Sequence, residues 1–220
     1  MDESYLSKRF CDLWQACAGA NGPQVWQKLH QHYTEPHRHY HTLGHLAHCL
    51  NELDIAKDHV TEFRATELAL WFHDIIYHYG ARDNEILSAA FFRQVAGSTM
   101  PAQFIDRVCE FIIATQHTGA ARDAAIAYVV DIDLSGFGLP WEGYLADSNA
   151  LREEASSVGD AQYYQGKLRF LSELQNWSSL FQSPFFRDRL EATAQSNISR
   201  YTDDLREQGF GQVLLAQQSK

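Results

Sequence analysis

Little in this chain interrupts it. Proline occurs only 5 times in 220 residues, and no Ser/Gly/Pro-rich stretch, internal repeat or low-complexity tract stands out. Neither a linker nor a repeat architecture is expected. Cysteine is equally sparse. Cys11, Cys17, Cys49 and Cys109 form no Cys-x-x-Cys pair, which excludes a zinc knuckle and a disulfide framework, so we expect reduced, mostly buried thiols. Basic charge is in deficit: 18 Lys and Arg face 28 Asp and Glu, a net charge of −10. A chain without a basic surplus has few counterions to displace from a phosphate backbone, so nucleic acid is not an expected partner. A small anionic substrate would need a local cation. No apolar run approaches the about eighteen residues that span a bilayer. The first residues, Met-Asp-Glu-Ser, lack a basic stretch followed by an apolar one, so no secretory signal is expected and the protein is read as cytoplasmic.

What the chain does have is helical periodicity. The length suits one large domain better than two. Leu6, Phe10, Leu13, Trp14 and Cys17 repeat at three- and four-residue steps between Ser4 and Ala18. Val25, Trp26, Leu29 and Tyr33 do the same after Pro23. Further helices are expected over about Thr42–Leu53, Glu62–Tyr77, Asn84–Val95, Pro101–Gln116, Trp141–Ser156, Ala161–Leu180 and Phe185–Leu205, with Pro101 at a start and Gly119 at a stop. Only Ile126–Ile132 could pass as a strand. The expected fold class is all-α, a compact bundle of roughly eight to ten helices.

Chemistry-bearing residues cluster in three places. Seven of the 11 histidines lie between His30 and His48. Most such residues sit on solvated faces, but His41, His45 and His48 are spaced to share one helix face. Next, His73 and Asp74 interrupt the apolar run Leu68-Ala-Leu-Trp-Phe-His-Asp-Ile-Ile76. An ionised Asp buried there costs several kcal/mol (roughly) unless a cation or an Arg partner offsets it, and either solution is open. Third, the apolar run Ala124–Val130 leads into Asp131-Ile-Asp133. On a helix those two carboxylates lie about 200° apart and only one could face a given metal. On an extended strand both could, and either could instead cap a helix.

The order His45, His73-Asp74, then an Asp near 133 resembles the HD superfamily of metal-dependent phosphohydrolases. Tyr40-His-Thr-Leu-Gly-His45, Trp71-Phe-His-Asp-Ile-Ile-Tyr77, Asp83-Asn-Glu85, Ser88-Ala89, Leu151-Arg-Glu-Glu154, Gly166-Lys-Leu-Arg-Phe-Leu171, Glu191-Ala-Thr-Ala and Asn197 are similar to a bacterial group of predicted HD phosphohydrolases. The resemblance runs from about residue 5 to 205. It implies one HD-type domain over 1–220, with a metal-binding core about 30–140 and C-terminal helices about 141–210 packing on it. It implies His45, His73, Asp74 and Asp133 as metal ligands, with Asp131 as the alternative to Asp133 or a residue supporting the ligands. His41-Thr-Leu-Gly-His45 is similar to the H-N-x-x-H motif of cyclic-nucleotide phosphodiesterases, with Thr42 in place of Asn. That makes His41 the candidate acid for the leaving group.

His117, Glu85 and Arg38 are candidates for the surroundings of the site: His117 as a pocket residue or donor to a second metal, Glu85 to orient a ligand or water, and Arg38, with Arg82, to meet a phosphate. Surface or helix-capping roles compete with each. The implied cofactor is a divalent ion, and two imidazoles with two carboxylates do not choose among Mn, Mg, Fe, Co, Ni and Zn. The expected activity is hydrolysis of a small phosphoester or phosphoanhydride, with a nucleotide favoured. A nucleotide-binding HD signalling module without turnover, an HD-like diiron oxygenase and a helical scaffold with adventitious metal binding are the competing readings.

Overall fold

The apolar stripes become helices. The structure, a computed structural model, describes residues 1–211. Its elements are α1 (Glu3–Ala16), α2 (Gly22–Tyr33), α3 (Leu43–Ile55), α4 (Phe63–Phe72), α5 (Asn84–Ala96), α6 (Ala102–Ala114), α7 (Ala124–Asp133), α8 (Trp141–Glu154), α9 (Asp160–Gln175) and α10 (Pro184–Glu207), with 3-10 turns at Lys57–His59 and Leu134–Gly138. No strand occurs among the described residues, and the fold is all-α. No helix there is long and apolar enough to cross a membrane. The chain divides into two compact units, the first ending at Asp133 and the second beginning at Leu134.

Helix α4 is the hub of the first unit. Every residue from Ala65 to Phe72 is buried, because α1, α3, α5, α6 and α7 all pack around it. Its Trp71 and Phe72 join a ring cluster: Phe10 and Trp71 centroids are 5.4 Å apart, Trp14 and Phe72 5.8 Å, and Phe72 and Phe92 5.1 Å. These are edge or offset arrangements, which the ring quadrupoles favour.

One charge inside α4 is neutralised by arginine. Arg9 of α1 places Nε 2.6 Å from the buried Glu67 and its terminal nitrogens 2.6 and 2.8 Å from Asp54. Burial works against the charged guanidinium, yet its bonds to Asp54 and Glu67 hold its pKa above the usual arginine value. Arg9→Ala leaves Glu67 buried without a cation and should cost roughly 3 kcal/mol. Denaturant unfolding should show Arg9→Ala/Glu67→Met regaining most of that loss; equal stability of wild type and Arg9→Ala would show that the pair contributes nothing.

Several helices differ from their sequence expectation. The periodicity around His73 suggests a helix to Tyr77, but α4 stops at Phe72. The next carbonyls are taken by side chains: Arg38 donates to Asp74 O at 2.7 Å and to Ile75 O at 2.9 Å. From the other side, Ser88 Oγ accepts from Ile76 N, and Asn84 exchanges two hydrogen bonds with the His78 backbone at 3.1 Å each. The strand-like Ile126–Ile132 lies within α7. Asp123 caps its start, accepting from Ala125 N and Ile126 N at 3.0 Å. Burial of Ala125 to Ile132 along the whole run overrides the β preference of Ile and Val. Nor is Gly119 the stop of α6, which ends at Ala114; the chain takes a left-handed conformation at His117 (φ 52°).

In the second unit α10 packs on the 3-10 turn Leu134–Gly138. Asn197 donates to Phe137 O at 2.9 Å and Leu139 O at 2.8 Å. Gly138 permits the close approach, since a Cβ there would sit 2.7 Å from Leu190 Cβ. Glu191 accepts from the backbone of Leu180 and Phe181 at 3.0 Å each and from Ser179 at 2.8 Å. These contacts tie the loop before α10 to the helix.

Candidate metal centre

Three elements of the first unit bring the separated sequence signals together. His45 lies on the first turn of α3, whose N-cap Thr42 accepts from Gly44 N at 3.1 Å. His73 and Asp74 follow α4 directly, and Asp133 is the last residue of α7. His45 Nε2 is 3.2 Å from His73 Nε2 and 3.2 Å from Asp133 Oδ1; His73 Nε2 is 3.3 Å from the same oxygen. Asp74 Oδ2 lies 2.9 Å from His73 Nε2 and 3.6 Å from His45 Nε2. Metal–ligand bonds of about 2.0–2.2 Å separate neighbouring donors by roughly 2.9–3.5 Å. The triangle of His45, His73 and Asp133 falls within that range. His73, fully buried, donates from Nδ1 to Leu70 O at 2.8 Å, which turns Nε2 into the cluster.

Among the described residues, no lysine or arginine side chain forms an ion pair with Asp74 or Asp133. Arg38 reaches the Asp74 segment, but its hydrogen bonds go to the His41, Asp74 and Ile75 carbonyls and to Glu35. Its buried guanidinium is therefore a clamp on the chain and not a phosphate contact. Glu67 and Asp74 are thus two buried acids handled differently, one by arginine and one by imidazoles.

A proton can substitute for a cation in this cluster. Burial opposes a charge on His73, but Asp74 and Asp133 outweigh it and hold the ring well above its ordinary value. Burial pushes both carboxyls up, yet His73 and His41 bring Asp74 below its usual range, and His73 with hydrogen bonds from His117 and His45 does the same for Asp133. A metal ion would displace the proton from His73 Nε2, because an imidazole ligates only when neutral.

The remaining candidates divide. Helical α7 separates Asp131 and Asp133 around its axis, and it is Asp133 whose oxygens reach the imidazoles; Asp131 is fully buried on another side of the helix. His117 Nε2 is 2.9 Å from Asp133 Oδ2, so Asp133 faces histidines with both oxygens. The left-handed backbone at His117 is a strained conformation for a non-glycine residue. His41 is not on the helix with His45, because α3 begins after Thr42; the expected three-histidine helix face does not form. Its ring instead stacks on Tyr77 at 3.9 Å, with Nε2 3.9 Å from Asp74 Oδ2. Glu85 is half-buried on the first turn of α5, where burial raises its carboxyl pKa. Arg82 is exposed. His30 and His32 pair with Glu3 and Glu35, away from the cluster.

One residue was missed by the motif. Cys49, one turn after His45 on α3, is fully buried with Sγ 3.6 Å from His45 Nε2. Donor atoms of His45, Cys49, His73 and Asp133 all lie within 4.8 Å of one another, and this buried group could hold a metal ion. The four-residue step from His45 was the available signal. Protein-family models, curated proteins and solved structures offer no match to this chain.

Proposed function

We propose that the first unit is a divalent-metal-dependent phosphohydrolase acting on a small phosphoester or phosphoanhydride, with a nucleotide as the favoured substrate. The observation that carries this reading is the buried meeting of His45, His73 and Asp133 at metal-ligand separations, with Asp74 2.9 Å from His73 Nε2 and, among the described residues, no arginine or lysine paired with either acid. His45, His73, Asp74 and Asp133 would hold the ion. A bound divalent ion supplies Lewis acidity toward a phosphoryl oxygen and acidifies water at the site. The chain's own residues do the rest. Leu70 O and His117 orient His73 and Asp133 through hydrogen bonds. His41, partly exposed and backed by Tyr77, is the proton donor to the leaving oxygen. The acidic chain favours a small ligand neutralised by the ion over an extended polyanion.

Phosphate release from a nucleotide panel with Mn, Co and Ni tests the proposal. Metal-dependent release supports it. Tight nucleotide binding without turnover would replace it with a binding module. A second reading, two ions per chain, draws on Asp133 facing His117 with one oxygen and His45 and His73 with the other. Metal analysis separates them: one ion per chain fits the hydrolase, and two equivalent irons fit a diiron oxygenase.

A further inference from the structure

We propose that Cys49 is a sulfur ligand of the metal centre and makes the site select a thiophilic ion such as zinc, cobalt or iron(II) over magnesium. This rests on the metal-site reading above and goes beyond its all-nitrogen-and-oxygen ligand set.

The geometry supports a bond from this atom. With a metal–sulfur bond of about 2.3 Å and a metal–nitrogen bond of about 2.05 Å, tetrahedral neighbours sit roughly 3.6 Å apart. Cys49 Sγ is 3.6 Å from His45 Nε2, the same nitrogen that lies 3.2 Å from His73 Nε2 and from Asp133 Oδ1. The other sulfur-to-donor separations stay within 4.8 Å; Sγ also lies 3.9 Å from His45 Nδ1, beside the ring, so the Cys49 side chain rotates toward the Nε2 side when the four atoms close on one ion. His45 and Cys49 share a helix face through their four-residue step, and α3 holds both side chains on one rigid element. The remaining three cysteines belong to no such group: Cys11, Cys17 and Cys109 are not among the donors that could hold an ion in the described residues.

The chemistry follows from ligand softness. Thiolate favours zinc, cobalt and iron over magnesium and calcium, whereas a purely oxygen-rich site with two imidazoles discriminates weakly. Metal binding displaces the thiol proton to solvent as the metal–sulfur bond forms; no electron transfer is involved. Burial and the nearby Asp133 and Asp74 keep the thiol protonated until then, with its pKa well above the ordinary cysteine value.

Cobalt(II) added to the metal-free protein provides the test. Wild type should show both the visible ligand-field bands of bound cobalt and the near-ultraviolet sulfur-to-cobalt charge-transfer band. Cys49→Ser should keep the ligand-field bands, lose the charge-transfer band, and bind zinc at least about tenfold more weakly, the size expected even for residues that only orient a ligand. Should Cys49→Ser fail to fold, a Cys11→Ser/Cys17→Ser/Cys109→Ser protein that retains the charge-transfer band assigns it to Cys49, and one that loses the band overturns the assignment. Ligand-field bands without charge transfer in wild type overturn the sulfur ligand but leave the metal site standing. No cobalt bands in wild type overturn both.

Discussion

The His73→Ala/Asp74→Ala protein should bind divalent ions far more weakly and lose most of the stabilisation that the ion provides and of any metal-dependent phosphate release. The two residues provide one imidazole and one carboxylate on consecutive positions, and His73 Nε2 is within 3.3 Å of His45, Asp74 and Asp133 donor atoms. Their removal leaves His45, Cys49 and Asp133, and takes away the imidazole whose Nε2 lies closest to the other donors. At a hundredfold excess over its dissociation constant, an ion should stabilise the wild-type protein by about 2.7 kcal/mol. That corresponds to roughly 5–10 °C in a thermal melt of a chain this size. Phosphate release should fall on the order of a thousandfold, since Lewis-acid stabilisation of this kind contributes several kcal/mol. Wild-type affinity should weaken as pH falls, because protons held on His73 by Asp74 and Asp133 compete with the ion. Circular dichroism of the double variant checks that the helices persist. An unchanged metal-induced melting shift in that variant would disprove the site.

Arg38→Ala should destabilise the first unit by about 3 kcal/mol or more, since buried carbonyls left without a donor cost about 1–3 kcal/mol each. The Arg38 side chain is wholly buried, and its guanidinium lies 5.3 Å from the centre of the Tyr33 ring and 5.7 Å from that of Tyr77. It donates to three carbonyls, His41 O at 3.1 Å, Asp74 O at 2.7 Å and Ile75 O at 2.9 Å. Each belongs to the segments that carry His41 and Asp74, so metal affinity should drop 10–100-fold (roughly) along with stability. Arg38→Lys should rescue little, because a single ammonium cannot reproduce the fork of donors that spans three acceptors. Urea unfolding and zinc titration read the two effects. Wild-type values for Arg38→Lys would refute the clamp.

Several elements were readable before folding. The stripes Leu6/Phe10/Leu13/Trp14 and Val25/Trp26/Leu29/Tyr33 mark α1 and α2, and both sets are buried. Amphipathic spacing is a local property, and the structure retains it. The end of α4 was not readable, because apolar Ile75 and Ile76 continue the pattern while Arg38, Asn84 and Ser88 from elsewhere in the chain claim the backbone groups a further turn would use. His41 was misplaced for a related reason: a four-residue step to His45 suggests one face, but Thr42 starts the helix between them. Arg38 looked available for a phosphate because two of its three carbonyl partners are 36 and 37 residues away.

Residue pattern alone was enough for the helical class and for the two places where ionisable groups interrupt or end apolar runs, since both follow from what can and cannot be buried cheaply. It left open whether Asp131 or Asp133 would turn toward the imidazoles, whether the buried acids would meet arginine or histidine, and that Cys49 would join them. Those outcomes depend on how α3, α4 and α7 are rotated against one another, and distances of 3 to 4 Å between side chains on different helices are set by that packing and by no local preference.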